Sequence, residues 1–377
     1  MKIAYCLNHI DGADGIATVT RTKATALAAR GHEVYLLLTD YKENRCGTTF
    51  SENVHIIDLQ IHYYEDDWKS KWHQFRQYFT KYPKHYIRLK HTLKQLSPDI
   101  VVSVGLSEKF FIPYIKGHWK TVREFHITRD YRLRIAHTLL QRFSAYIGNI
   151  LDRIVLPHYS QVVVLTEEDL EFHWQGFKSV CVIPNPCRIS CSTPATLENH
   201  QIISMGRYTH QKNFDSLIRA FRKVADCHPD WRLEIYGDGG ERASLTRLIS
   251  DLGLSGMVAL PHNTNNVAKA LLSASVFVSS SLFEGLPLVL IEAAACGLPL
   301  VSYSCPCGAK DVITPRHNGY LVPVGNETQL ADHICRLIEN TVLRKKMGTN
   351  AYASAKSYSL EAIIPQWERL FERLLKS

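Results

Sequence analysis

Residues 276–303 read "VFVSSSLFEGLPLVLIEAAACGLPLVSY". Two short runs, "VFVSS" and "LPLVSY", read as strands. Between them a longer apolar segment opens after a Gly-Leu-Pro. Strand, loop, helix and strand in this order form a βαβ unit, which builds a parallel sheet. Pro287 suits the first turn of a helix, so the helix is expected to start near Gly285 to Pro287. Glu284 then stands on the loop at the strand's carboxyl end. Gly285 and Leu286 offer backbone N–H groups that the helix itself leaves unused. Glu292 lies about two turns further on, among Ile291 and Ala293 to Ala295. A carboxylate in so apolar a run needs a buried partner or a polyhydroxylated ligand. The plainer alternative makes Glu292 an exposed face residue and Glu284 a substitute N-cap.

The same alternation runs through the chain. "KIAYCLN", "HEVYLLLTD", "PDIVVSV", "TVREF", "QVVVLT" and "SVCVIPNP" read as strands in the first half. "GIATVTRTKATALAARG" between the first two reads as a helix that Gly31 stops, and Thr166 caps "EEDLEFHW". The polar stretch 185–200, with two prolines, reads as a linker. Beyond it the pattern restarts with "QIISMG", "NFDSLIRAFRKVADC", "WRLEIYG" and "ERASLTRLISDLG". With 377 residues the chain is too long for one ordinary core. The expected domains are 1–186 and 187–360. An amphipathic helix at 361–377, with Trp367, Leu370, Phe371 and Leu374 on one face, is expected to cross back to the first. The expected class is α/β, with two doubly wound Rossmann-like domains facing a cleft.

Composition bounds the function without choosing it. Apolar content of 45% and charged content of 21% describe a globular chain. The ten cysteines show no paired CxxC, and we read them as reduced thiols of a cytosolic protein; a zinc site is the lesser reading. No run of 18 apolar residues would span a bilayer, and no secretory signal opens the chain. The net charge of +8 fits an anionic ligand, an anionic membrane surface or nucleic acid. No G-x-G-x-x-G supports a dinucleotide, and no DxD supports a divalent cation.

Ligands of open parallel sheets sit at the carboxyl ends of the strands. After "IISMG" comes "RYTHQKN", with Arg207 and Lys212 ahead of a helix. Two cations beside a helix N-terminus attract phosphate, although loop cations are often merely solvated.

Taken together, "GRYTHQKNFDSLIRAF", "IYGDGGER", "FEGLPLVLIEAAACGLPLV" and "GAKDVI…NGYLVPVGN" resemble the C-terminal domain of the family 4 retaining glycosyltransferases, which have the GT-B fold. "DGIATVTRTKATALAARGHEV" resembles that family's glycine loop and first helix, so the resemblance covers essentially the whole chain. It implies a retaining, metal-independent hexosyltransferase. The substrates would be a nucleotide-sugar donor, UDP-linked, and a glycan or polyprenyl-diphosphate-linked acceptor, as in surface polysaccharide biosynthesis. No cofactor, no metal and no nucleic acid are implied. By this resemblance Arg207 and Lys212 hold the diphosphate. Glu284 meets the donor sugar hydroxyls, with Gly285 and Leu286 giving backbone contacts. Glu292 binds the ribose. Gly15 lets the first-domain backbone approach the diphosphate. His126, in "REFHITRD", stands beside the donor sugar. Where the family often has two adjacent glycines this chain has Asp14-Gly15, which opens an acceptor-side role for Asp14.

Two other readings stay open: a non-catalytic nucleotide-sugar-binding subunit of a transferase complex, and a GT-B nucleotide-sugar epimerase. Residues 68–94 hold eight Lys or Arg, seven aromatics and no Asp or Glu. Trp68, Trp72, Phe75 and Phe79 recur at helical spacing, with Arg76 among them. Such a helix reads as peripheral contact with an anionic membrane at the inner face of the cell membrane, or as a core stripe with a solvated basic back. "RDYRLRIAHTLLQRF" is a second basic segment of the same character.

Overall fold

The computed structural model describes residues 1–10, 15–41, 52–63, 71–136 and 138–377, with backbone alone for 71–79. Asp14 and Trp68 lie outside the described residues, as do the side chains of Trp72, Phe75, Arg76 and Phe79. The chain packs as two units. One holds Met1–Leu165, Leu170–Pro186 and Ile363–Ser377; the other holds Thr166–Asp169 and Cys187–Ala362.

The first unit carries strands β1 (Lys2–Leu7), β2 (Glu33–Leu38), β3 (Val54–Asp58), β4 (Ile100–Ser103), β5 (Lys120–Glu124), β6 (Gln161–Val164) and β7 (Val180–Val182). Its helices include α1 (Gly15–Ala29), α2 (Lys71–Leu96), α3 (Tyr131–Arg134) and α4 (Leu139–Val155); α5 (Glu167–His173) follows β6. All sheet pairings are parallel, in the order β3-β2-β1-β4-β5-β6-β7. This is doubly wound topology, with the reversal between β1 and β4. Strands β1, β4 and β6 are apolar almost throughout because helices cover both faces of a parallel sheet. Gly31, at φ +88°, supplies the left-handed turn after α1.

The second unit carries β8 (Gln201–Met205), β9 (Arg232–Tyr236), β10 (Val258–Ala259), β11 (Val276–Ser279), β12 (Leu300–Tyr303) and β13 (Gly319–Val322). Its helices are α6 (Phe214–Cys227), α7 (Arg242–Asp251), α8 (Val267–Leu272), α9 (Leu288–Ala295), α10 (Ala309–Val312), α11 (Glu327–Glu339) and α12 (Thr341–Ala355). The sheet order β10-β9-β8-β11-β12-β13 repeats the same winding, reversing between β8 and β11. Phe214, Leu217, Phe221 and Val224 recur at helical spacing on α6 and pack into one core with Leu233, Ile235 and Val278.

The last helix, α13 (Leu360–Lys376), buries Trp367, Leu370, Phe371 and Leu374. Its Glu368 carboxylate pairs with Arg30, at 2.8 Å, and lies 3.0 Å from His32 Nε2. Those two residues lie in the turn between α1 and β2, so α13 is fastened to the first unit.

Candidate functional site

Helix α9 starts at Leu288 with Pro287 as its N-cap, one residue beyond the first-turn place expected for that proline. The preceding turn is held from two sides. The loop after β8 lies against it: Gln211 Nε2 donates to Phe283 O (2.9 Å), Leu282 N–H to Gln211 O (2.8 Å), and Ser280 Oγ to Lys212 O (2.8 Å). The loop after β12 closes the second side at Gly308. This glycine has φ +93°, and a Cβ there would come within 2.7 Å of Gly285 O and 2.5 Å of Pro287 Cδ. Only glycine fits so close a backbone approach.

These contacts bring Lys212 and Glu284 together from positions far apart in the chain. Lys212 Nζ lies 2.5 Å from Glu284 Oε1, which also accepts from Ser281 Oγ at 2.6 Å. Both charged side chains are mostly buried and still reachable. Among the described residues the amides of Gly285 and Leu286 donate to no acceptor, so the turn presents two N–H groups beside an ammonium. Arg207 stands exposed at the start of the Lys212 loop, at the carboxyl end of β8. Lys212, Glu284, Gly285 and Leu286 thus share one locus at the β8–β11 reversal, with Arg207 on its rim.

Glu292 is buried, as its apolar surroundings predict, at 1% exposure. Its partner is Arg188, whose Nε donates to Glu292 Oε1 at 2.6 Å and whose Nη2 also pairs with that oxygen. Oε2 has no hydrogen-bond partner. Burial pushes the Glu292 carboxyl above its ordinary range, and Arg188 pulls it part of the way back. A buried carboxylate with one idle oxygen is what a pair of vicinal hydroxyls would satisfy. The sequence carried no local sign of Arg188, which sits in the polar linker.

The first unit holds Gly15 and His126. Gly15 is the first residue of α1, and a Cβ there would touch nothing within 4 Å. His126 follows β5, and its Nε2 lies 3.4 Å from Glu124 Oε1. Lys23 of α1 pairs with the same oxygen, both side chains fully buried. The Lys23 ammonium also lies over the Trp367 ring of α13, 4.4 Å from its centroid. Burial works to raise the Glu124 carboxyl, but Lys23, His126 and Arg123 outweigh it and hold it below its ordinary value. Glu124 therefore stands as a fixed anion beneath His126, anchored by a lysine that sequence reading passed over.

Two family models match the chain: Glycosyltransferase Family 4 over residues 13–190 and Glycosyl transferases group 1 over residues 192–354. The chain belongs to these glycosyltransferases, and its two parallel α/β units are the GT-B fold. An uncharacterized glycosyltransferase of Haemophilus influenzae is 28% identical over 376 residues, covering 97% of this chain and 99% of the relative. A Campylobacter jejuni alpha-1,4-N-acetyl-D-galactosaminyltransferase, named for a diNAcBac-PP-undecaprenol acceptor, is 28% identical over 228 residues, 59% of this chain and 63% of its own. Among solved structures, a variant of Staphylococcus aureus TarM in complex with fondaparinux, alpha-GlcNAc-glycerol and UDP superposes with a TM-score of 0.76. It is 15% identical, and the match covers 98% of this chain and 99% of that one.

Proposed function

We propose that the chain is a retaining hexosyl- or N-acetylhexosaminyltransferase. It takes the sugar from a UDP-linked donor and passes it to a glycan or polyprenyl-diphosphate-linked acceptor in surface polysaccharide biosynthesis. The observation that carries this reading is the Lys212–Glu284 contact beside the idle amides of Gly285 and Leu286. A diphosphate placed there meets an ammonium and two N–H donors, while Glu284 accepts from the hydroxyls of the attached sugar. Glu292, about one turn along α9, accepts from the ribose through its unpartnered oxygen. Arg207 adds a second cation for the phosphates.

In the reaction the bond between the anomeric carbon and the diphosphate oxygen breaks. The acceptor hydroxyl bonds to the same face of that carbon, and its proton passes to the departing phosphate oxygen. Lys212, Arg207 and the amides stabilise the charge that grows on the leaving group, a role a divalent cation fills elsewhere. Glu284 and Glu292 are each already paired with a side-chain cation, Lys212 and Arg188, which favours chemistry without a metal. His126, oriented by Glu124, would meet the donor sugar, and the glycine at position 15 would admit the diphosphate to the start of α1.

A panel of UDP-sugars screened for thermal stabilisation picks the donor, since a ligand of the folded state raises stability by mass action. That donor is then incubated with a lipid-linked acceptor in the presence of EDTA. The expected result is release of UDP and an acceptor heavier by one hexose or N-acetylhexosamine. An intact donor would mark a binding subunit, and an isomerised donor with no mass gain an epimerase. Activity abolished by EDTA and restored by a divalent cation would refute the metal-independent route.

A further inference from the structure

Helix α4 is oriented against the usual rule. Of the large apolar side chains exposed on the described residues, eight lie on this one helix, so the exposure is a face and not scatter. Leu139 (85% exposed), Phe143 (63%), Tyr146, Ile147, Ile150 and Ile154 (56%) fall within an arc of roughly 100°. The face runs about 22 Å along the helix. The buried side is made instead of Ala145, Asp152 and Val155. Asp152 is the only acid of α4, and it is neutralised inside the unit by Lys109 and by Arg132, at 2.8 Å. The exposed surface of the helix therefore carries no negative charge. Arg142 and Arg153, both exposed, lie together along one edge of the apolar arc.

We propose that α4 is a membrane-docking helix, lying in the interface of an anionic phospholipid bilayer with this face among the acyl chains and Arg142 and Arg153 at the headgroup phosphates. The inference goes beyond the donor-site reading and does not depend on it. A large apolar face, a cationic edge and no exposed acid are the features of an in-plane interfacial helix. Among the described residues no helix is long and apolar enough to cross a membrane. A second copy of the chain is the weaker occupant. Antiparallel pairing of two such helices through this face would set the Arg142 and Arg153 edges against each other.

The test uses the full chain with two kinds of vesicle, phosphatidylcholine alone and phosphatidylcholine mixed with phosphatidylglycerol. The wild type is expected to co-sediment with the mixed vesicles and far less with the neutral ones. Phe143→Ser, Ile150→Ser and Ile154→Ser together should weaken that binding by on the order of 100-fold or more. Since all three side chains face solvent, the melting temperature should stay within the range of wild type. Arg142→Gln with Arg153→Gln should weaken binding to the mixed vesicles about 30-fold, at about fivefold per arginine, and leave the neutral vesicles unaffected. Wild type that ignores both vesicles, or a triple-serine variant that binds as wild type, overturns the proposal. So does a wild-type dimer in sedimentation equilibrium that the serine variant breaks without any vesicle binding, which would assign the face to self-association.

Discussion

Arg188→Met isolates the physics of the buried Glu292. The variant keeps most of the aliphatic stem and removes the cation beside a carboxylate that is 1% exposed. Stripping one partner from a fully buried pair costs about 3–5 kcal/mol. The Arg188 side chain is 31% exposed, so solvent already screens part of this interaction. The expected loss is about 1–3 kcal/mol, or a melting temperature lower by about 3–10 °C. The loss must also depend on pH in a definite sense. Burial holds the Glu292 carboxyl above its ordinary value. The folded state then binds that proton more tightly than the unfolded state does. Stability therefore falls as pH rises from the ordinary glutamate range through the folded value, and Arg188 limits the fall. Without Arg188 the carboxyl rises further and the window widens. Below the ordinary range Glu292 is protonated in both states and the arginine is worth little. Scanning calorimetry from about pH 4 to about pH 8 on wild type, Arg188→Met, Glu292→Gln and the double variant reads this directly. Arg188→Met should be near wild type at the acid end and clearly weaker at the alkaline end, with Glu292→Gln restoring most of the loss. Equal destabilisation at both ends, or no rescue by Glu292→Gln, would falsify the account.

Lys212→Ala removes the ammonium 2.5 Å from Glu284, and isothermal titration should show UDP affinity lower by about 10- to 100-fold; an unchanged affinity rejects the phosphate role. Lys23→Met leaves the Glu124 carboxylate buried without its cation, so urea unfolding should register a loss of about 3–5 kcal/mol, partly recovered by adding Glu124→Gln. A loss near zero would mean that the Lys23 ammonium, with its Glu124 and Trp367 contacts, adds nothing net to the stability of the first unit.

Most of the fold was legible because parallel strands covered on both faces are written as short apolar runs. β3 was missed, and its surroundings explain why. It is an edge strand in which only Val54 is buried, so "VHIID" lacks the dense apolar signal of β1 or β4. In the candidate site the residue types were readable and their pairings were not. "RYTHQKN" and "FEGLP" each showed a charge at the carboxyl end of a strand. That Lys212 and Glu284 touch follows from the β8–β11 adjacency, which no local window encodes. Arg188 is harder still, since an arginine in a polar linker is unremarkable until the chain returns to place it over α9. The apolar run around Glu292 announced that a partner must exist without saying which.

The helix α4 shows where periodicity stops informing. An amphipathic stripe gives two faces and does not say which one the protein covers. The segment "RDYRLRIAHTLLQRF" reads as a second basic segment of the same character as residues 68–94, and a rule that turns apolar faces inward would rotate α4 by half a turn. What decides the rotation is the other side of the helix. Ala145, Gly148 and Asp152 share it, and small residues permit close packing against the unit. Asp152 is buried there because Lys109 and Arg132, from two different segments, converge on its two oxygens. A single acid with two cationic partners fixes the inward face, the two ion pairs offsetting the cost of taking its charge out of water. The leucines, isoleucines and aromatics are then turned out by exclusion. Their exposure is enforced by a polar interior contact, which is the arrangement expected of a surface whose own partner is apolar.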